Sequence, residues 1–146
     1  MTARGIRNNN PLNIDKGDEW QGLASEQTDS RFCTFIAPEW GFRAATKILL
    51  KYQSRYGLGD VDGIVHRWAP PVENDSNAYS KAVAKAMGIE PDMIIDLKNS
   101  PTLLLAMLRA MCVHENGSCP YPDSVIQQGM ILAGIEHVHN PRSIEP

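Results

Sequence analysis

A glutamate at the end of an apolar helix is the residue best placed for acid–base chemistry in this sequence. The run His114-Glu115-Asn116-Gly117 follows the apolar residues 103–112. A carboxyl group there sits at the negative end of a helix dipole, beside hydrophobic surface. Both effects disfavour its charged form, and a carboxyl kept protonated near neutrality is what a general acid requires. Gly117 supplies the helix stop and lets a ligand approach the backbone. The competing role is a solvated Glu in a C-terminal turn.

A second candidate is Arg7-Asn8-Asn9-Asn10-Pro11-Leu12-Asn13-Ile14, with four Asn in the six positions 8–13. Neutral amide groups suit a sugar chain bearing N-acetyl substituents, which makes Asn9 and Asn10 candidate substrate-binding residues. Turn-making and capping are the structural alternative. In Arg67-Trp68-Ala69-Pro70-Pro71-Val72-Glu73-Asn74-Asp75, Trp68 can stack on a sugar face, and Glu73 or Asp75 could be catalytic. The structural reading is preferred there. Trp68 completes a core stripe, the prolines break a helix and Asn74-Asp75 caps the next, while Tyr79 is kept as a site hydroxyl. Glu26 and Asp29, before Phe32, offer a second carboxylate to hold a water or stabilise an oxocarbenium ion; loop solvation is their alternative.

Other chemistries find less support. His66, His114, His137 and His139 with Cys112 and Cys119 are the soft ligands present, but their spacings do not match zinc sites. Cys33 with His114 lacks a nucleophile signature. No phosphate-binding glycine loop occurs, and no metal or other cofactor is called for. Three cysteines do not make a disulfide framework, so reduced thiols are the simplest expectation. Cys112 and Cys119 can pair only if the loop between them folds back.

The elements that must position these residues are those of one soluble domain. The 146 residues are 42% hydrophobic and 21% charged, which argues against disordered or collagen-like classes. A chain of this length buries roughly two-thirds of its unfolded surface without staples. The net charge of -3, and tryptophans Trp20, Trp40 and Trp68 that do not interleave with basic residues, argue against nucleic acid. No apolar stretch approaches the roughly 18 residues of a membrane span. The N-terminus lacks the apolar core of a secretory signal. A cytoplasmic product that something else delivers beyond the membrane is therefore expected.

Residues 4–36, rich in Asn, Gly, Asp and Ser, read as an irregular β-hairpin lobe, with short strands at Ile14, Trp20 and Phe32 to Phe35. From Pro38 the period turns helical, with Trp40, Ala44, Ile48, Leu49, Tyr52 and Tyr56 on one face and Gly57 as the stop. Asp60 opens a short helix ended by Ala69-Pro70-Pro71. Asp75 or Ser76 caps another, with Tyr79, Ala82, Val83, Ala86 and Met87 inward and Gly88 as its stop. Residues 89–99 form a link. Ser100-Pro101 opens the strongest helix, and Asp123 caps a last one carrying Ile126, Met130, Ala133 and Ile135 before a polar tail from His139. The expected fold is α+β and mainly helical: a single domain over 1–146, with a β lobe at about 4–36, a helical lobe at about 38–138 and a tail at 139–146.

Taken together, residues 7–14, 67–74 and 114–117 resemble a family of phage virion structural proteins associated with peptidoglycan-degrading activity. Its members share an Arg-Asn-Asn-Asn-Pro-Gly-Asn-Ile opening, an Arg-Trp-Ala-Pro-Pro-x-Glu-Asn centre and a His-Glu-Asn-Gly close. Leu12 stands here where that family usually has Gly. A more distant similarity is to flagellar-type glucosaminidases of the lysozyme-like class. Asn9-Asn10, Ile14, Trp20-Gln21-Gly22, Phe32 and Phe35, Gly41 and Ser76-Asn77-Ala78-Tyr79 follow their motif order, but the Glu-Asn-Gly helix comes last instead of first. The resemblance implies a circularly permuted lysozyme-like domain, which is feasible when termini lie close together. It implies Glu115 as the catalytic acid, Tyr79 as the site tyrosine, and Glu26 or Asp29 as the second carboxylate.

The implied function is cleavage of the β-1,4 glycan strand of bacterial peptidoglycan without a cofactor. Asn9, Asn10, Tyr79 and Trp68 would bind substrate. A lytic transglycosylase, needing a single Glu, is slightly preferred over a muramidase or glucosaminidase. Delivery would be as a virion component to the periplasm, alongside other virion proteins. The alternatives are a non-catalytic virion or effector module that binds the wall or a structural partner, and an enzyme cleaving wall peptides.

Overall fold

A computed structural model describes residues 2–136. The expected tail and the ligand candidates His137 and His139 lie outside these residues. The described chain is mainly helical: α1 (Arg4–Arg7), α2 (Pro38–Tyr56), α3 (Val61–Trp68), α4 (Ser76–Met87), α5 (Pro101–Asn116) and α6 (Asp123–Leu132). No helix among the described residues is long and apolar enough to cross a membrane.

Local signals set most helix boundaries. Pro38 occupies the first turn of α2, where a missing N–H costs nothing, and Gly57 closes it in the left-handed conformation. The Asp60 carboxylate accepts from the Gly63 N–H at 2.7 Å to start α3. Asp75 does the same for Ala78 at 3.1 Å to start α4. Two details differ from the sequence expectation. Asp123 is the first residue of α6 instead of its cap, and its carboxylate pairs with Arg109 at 2.6 Å. The helix also ends at Leu132, so Ala133 and Ile135 follow it; the Ile135 N–H returns to the Met130 carbonyl and its side chain is buried.

An apolar helix, α5, lies at the centre. Leu104, Met107, Leu108 and Met111 of α5 are wholly buried, each worth roughly 2 kcal/mol of transfer free energy. α5 packs against α4, α6, α2 and the short α1. α4 buries Ser76, Tyr79, Ser80, Val83, Ala84 and Met87, whereas Ala82 and Ala86 face solvent. The expected face was therefore rotated: small polar Ser80 packs inward because its hydroxyl donates to Asp62 Oδ1 at 3.0 Å.

Residues 4–36 form a lobe with far less strand than expected. Its only regular pairings among the described residues are two antiparallel bridges, Asp15 with Phe32 and Leu23 with Phe35. It also holds α1, which no hydrophobic period announces. Asparagine side chains supply the cross-links that strands would otherwise provide. Asn10, wholly buried, donates to the carbonyls of Ile14 (3.0 Å) and Cys33 (2.9 Å) and accepts from the Ile14 N–H (2.9 Å). Asn9 takes a left-handed φ of 52° and donates to the Phe35 carbonyl at 3.1 Å.

Candidate functional site

The lobe and the helical core meet at the C-terminal end of α5. Asn13 adopts φ 53°, a conformation Asn tolerates better than most residues. Its Nδ2 donates to Glu115 Oε1 at 2.9 Å. From the other side, the Tyr79 hydroxyl of α4 donates to Glu115 Oε2 at 2.9 Å. Tyr79 is 1% exposed, and burial first, then the Glu115 charge, hold its hydroxyl protonated far above the usual tyrosine range. The exposed His114 ring stacks on the Tyr79 ring at 3.8 Å. A half-buried carboxylate thus joins two separate elements at the last turn of the central helix.

The next residue fixes the register of this junction. Asn116 Nδ2 donates to the carbonyls of Pro11 (2.7 Å) and Cys112 (3.0 Å), tying the helix end to the asparagine turn. The amide oxygens of Asn13 and Asn116 are buried without a conventional donor. Both crowd Gly5: a Cβ there would lie 2.8 Å from Asn13 Oδ1 and 2.5 Å from Asn116 Oδ1. Only glycine permits this approach.

Glu115 lines a cleft of about 630 Å³ between the lobe and the α3–α4 connection, a size suited to a small ligand or a short stretch of polymer. Phe32, Tyr52 and Trp68 supply aromatic surface, and Asn13 and Asn74 supply amides. Two further carboxylates line it. Asp15 accepts from Arg31 Nε at 2.9 Å, and Glu73 lies 3.6 Å from Arg31 Nη2. Ser76 Oγ donates to the Ala69 carbonyl, pinning the turn that carries Glu73 and Asn74. A second cavity of about 650 Å³, beside the end of α2 and residues 133–135, is mainly apolar; its charged lining residues are Asp96 and Lys98.

The sequence candidates separate on this geometry. Glu115, Tyr79 and Trp68 come together, with Tyr79 acting from beneath the carboxylate and Trp68 at the cleft wall. Asn9 and Asn10 do not face the cleft as substrate amides. Their Nδ2 groups are already given to backbone carbonyls, and the neighbouring Asn13 reaches Glu115 instead. Asp29 is not the second carboxylate. It is buried and accepts from Arg4 Nε and Nη2 (both 2.7 Å), from Asn8 Nδ2 (2.9 Å) and from the N–H groups of Arg31 and Phe32. Glu26 is exposed and is not among the cleft-lining residues. Asp15, which no local pattern singles out, and Glu73, for which a structural role was preferred, are the carboxylates that line the cleft beside Glu115.

The Arg4 hydrogen bonds, together with those of Phe32, Arg31 and Asn8, hold the Asp29 carboxyl well below the usual carboxylate range. A native value below the unfolded one contributes stability that is complete above about pH 4 and is lost as pH falls toward the native value. Asp29→Asn is therefore expected to melt below wild type at pH 7, with the gap narrowing as pH drops below about 4. Thermal melts at several pH values measure this; a gap independent of pH would contradict it.

The cysteines are free thiols. The loop does fold back: the Cys112 thiol donates to the Ser118 carbonyl at 3.9 Å, and interaction of the two thiols pushes Cys112 up and draws Cys119 below the usual thiol range. Among the described residues, no group of three or more His, Cys, Asp or Glu side chains is arranged to hold a metal ion.

Protein P5 of Pseudoalteromonas phage PM2 is 41% identical over 131 residues, which cover 87% of this chain and 79% of that protein. The chain belongs to the family of this phage protein. No protein-family model matches it. The expected kinship with phage proteins therefore stands, and compatibility with virion partners follows from it.

Proposed function

We propose that this phage protein is a peptidoglycan glycosidase of lysozyme-like, circularly permuted design, with Glu115 as its acid and base. The observation that carries this reading is the Glu115 carboxyl group, held between Asn13 and Tyr79 at the floor of an aromatic-walled, amide-bearing cleft. In its protonated form Glu115 gives its proton to the glycosidic oxygen as the bond from that oxygen to C1 breaks. The Asn13 and Tyr79 donors then hold the carboxylate left behind. In the transglycosylase route, the muramoyl 6-hydroxyl attacks C1 and returns its proton to Glu115, leaving a 1,6-anhydro end. In the hydrolytic route a water does so, and Asp15 or Glu73 is the cleft carboxylate that can position it. The first route needs one carboxyl group and is preferred. Virion-borne delivery to the periplasm completes the proposal.

A second reading has its own support. Glu115 joins the lobe to α4 through two hydrogen bonds, as a purely structural carboxylate would. The protein would then be a virion module that binds the wall without cutting it. Clearing of purified cell walls by wild type and by Glu115→Gln separates the two: loss in the variant supports the glycosidase, and equal clearing contradicts it.

Tyr79→Phe provides a graded check. It removes one donor to Glu115 and keeps the ring that stacks on His114. We expect a fall in kcat of about 10- to 100-fold, with the fold retained, since a hydrogen bond to a charged group is worth about 1.5–3 kcal/mol. Clearing kinetics beside a circular dichroism melt measure it; unchanged kcat would remove Tyr79 from the site.

A further inference from the structure

We infer that Arg67 is a recognition residue for an anionic substituent of the substrate glycan, a carboxylate carried beside the sugar ring. This deepens the glycosidase proposal and rests on it.

The cleft contains two guanidinium groups in different circumstances. Arg31 is committed to Asp15 and Glu73. Arg67, in the last turn of α3, lines the same cleft, and no carboxylate pairs with it among the described residues. The other ion-paired arginines, Arg4 and Arg109, each have an acidic partner.

Arg67 is nonetheless held in place. Its guanidinium carbon lies 3.7 Å from the Tyr56 ring centroid and 5.3 Å from that of Tyr52, at the end of α2. Tyr52 in turn meets Trp68 edge to face, with centroids 6.4 Å apart. Ring stacking and a hydrogen bond to the Tyr52 hydroxyl immobilise the cation, and the remaining N–H groups of the guanidinium are left for another acceptor. A planar guanidinium of this kind is matched to a carboxylate. A preorganised cation without a carboxylate partner, in a cleft whose other guanidinium is already paired to Asp15 and Glu73, favours a ligand that brings its own negative charge. Neutral polymers of N-acetylglucosamine do not. Peptidoglycan carries carboxylates from two sources: its stem peptides, and the lactyl ether once the peptide is removed.

Calorimetric titration tests this, with the full chain in a Glu115→Gln background so that ligands stay intact. The probes are neutral chitotetraose, peptide-bearing wall fragments and peptide-stripped wall fragments. Adding Arg67→Gln is expected to weaken binding of anionic fragments about tenfold and to leave chitotetraose unchanged. Arg67→Lys, which keeps charge but not the flat stack, should recover only part of the loss. Loss confined to peptide-bearing fragments assigns the contact to the stem peptide; loss on stripped fragments assigns it to the lactyl carboxylate. Equal affinity of Arg67→Gln and its parent for every anionic fragment overturns the inference, as does an equal loss on chitotetraose. Cleavage is assayed separately with Glu115 intact. A chain that cuts no glycan but shows the Arg67-dependent binding overturns the glycosidase reading alone. A chain that binds no fragment overturns both.

Discussion

Glu115→Gln should lower wall clearing by about 10³-fold, the range general acid–base catalysis supplies, while the protein still folds. The physical argument rests on what Gln keeps. The amide is nearly isosteric with the carboxyl group. Its oxygen can accept from Asn13 Nδ2, and its NH2 can donate to the Tyr79 hydroxyl oxygen, which turns its own hydrogen away. Both contacts at 2.9 Å then survive with neutral partners. Stability should fall by about 1–3 kcal/mol at most, the cost of turning the buried Tyr79 hydroxyl hydrogen away from its acceptor, but the side chain can no longer give up a proton to a leaving oxygen. A structural tie predicts the opposite pattern: clearing preserved wherever the fold is preserved. Paired melts and clearing rates on the same preparation therefore separate chemistry from scaffolding.

The largest stability effect is expected at Asn10. Asn10→Ala deletes an amide that makes three hydrogen bonds from a wholly buried position. The Ile14 carbonyl retains the Cys33 N–H at 2.9 Å. The Ile14 N–H and the Cys33 carbonyl are left buried without their partner. At about 1–3 kcal/mol for each unsatisfied group, the loss should be about 3 kcal/mol. This is a large share of a typical domain stability of roughly 5–15 kcal/mol. Urea unfolding followed by tryptophan fluorescence measures it. A loss below about 1 kcal/mol would show that the lobe does not depend on this amide. Because Asn13 lies three residues on, clearing should fall together with stability.

The helices were legible because their signals are local. Pro38 and Gly57 bracket α2, Asp60 and Asp75 cap α3 and α4, and Gly117 stops α5 in the sequence itself. The lobe was legible as a composition but not as a structure. Asn8, Asn9 and Asn10 bond to partners 21 to 26 residues away, a pairing no short window contains. The same distance hid which carboxylates line the cleft. Asp29 looked free, but Arg4, 25 residues earlier, claims both its oxygens. Asp15 carries no local signal, and Arg31, 16 residues away, and the fold bring it to the cleft. Glu115 was legible as a candidate because its helix position and its Asn-Gly neighbours are contiguous. Its real partners, Asn13 and Tyr79, lie 102 and 36 residues away.

Mass spectrometry of the fragments released from purified peptidoglycan tests glycan cleavage most directly. New sugar ends, either 1,6-anhydro or reducing, that appear with wild type and vanish with Glu115→Gln are the predicted products. New free amines with intact glycan strands, or walls left uncut by wild type, would contradict it.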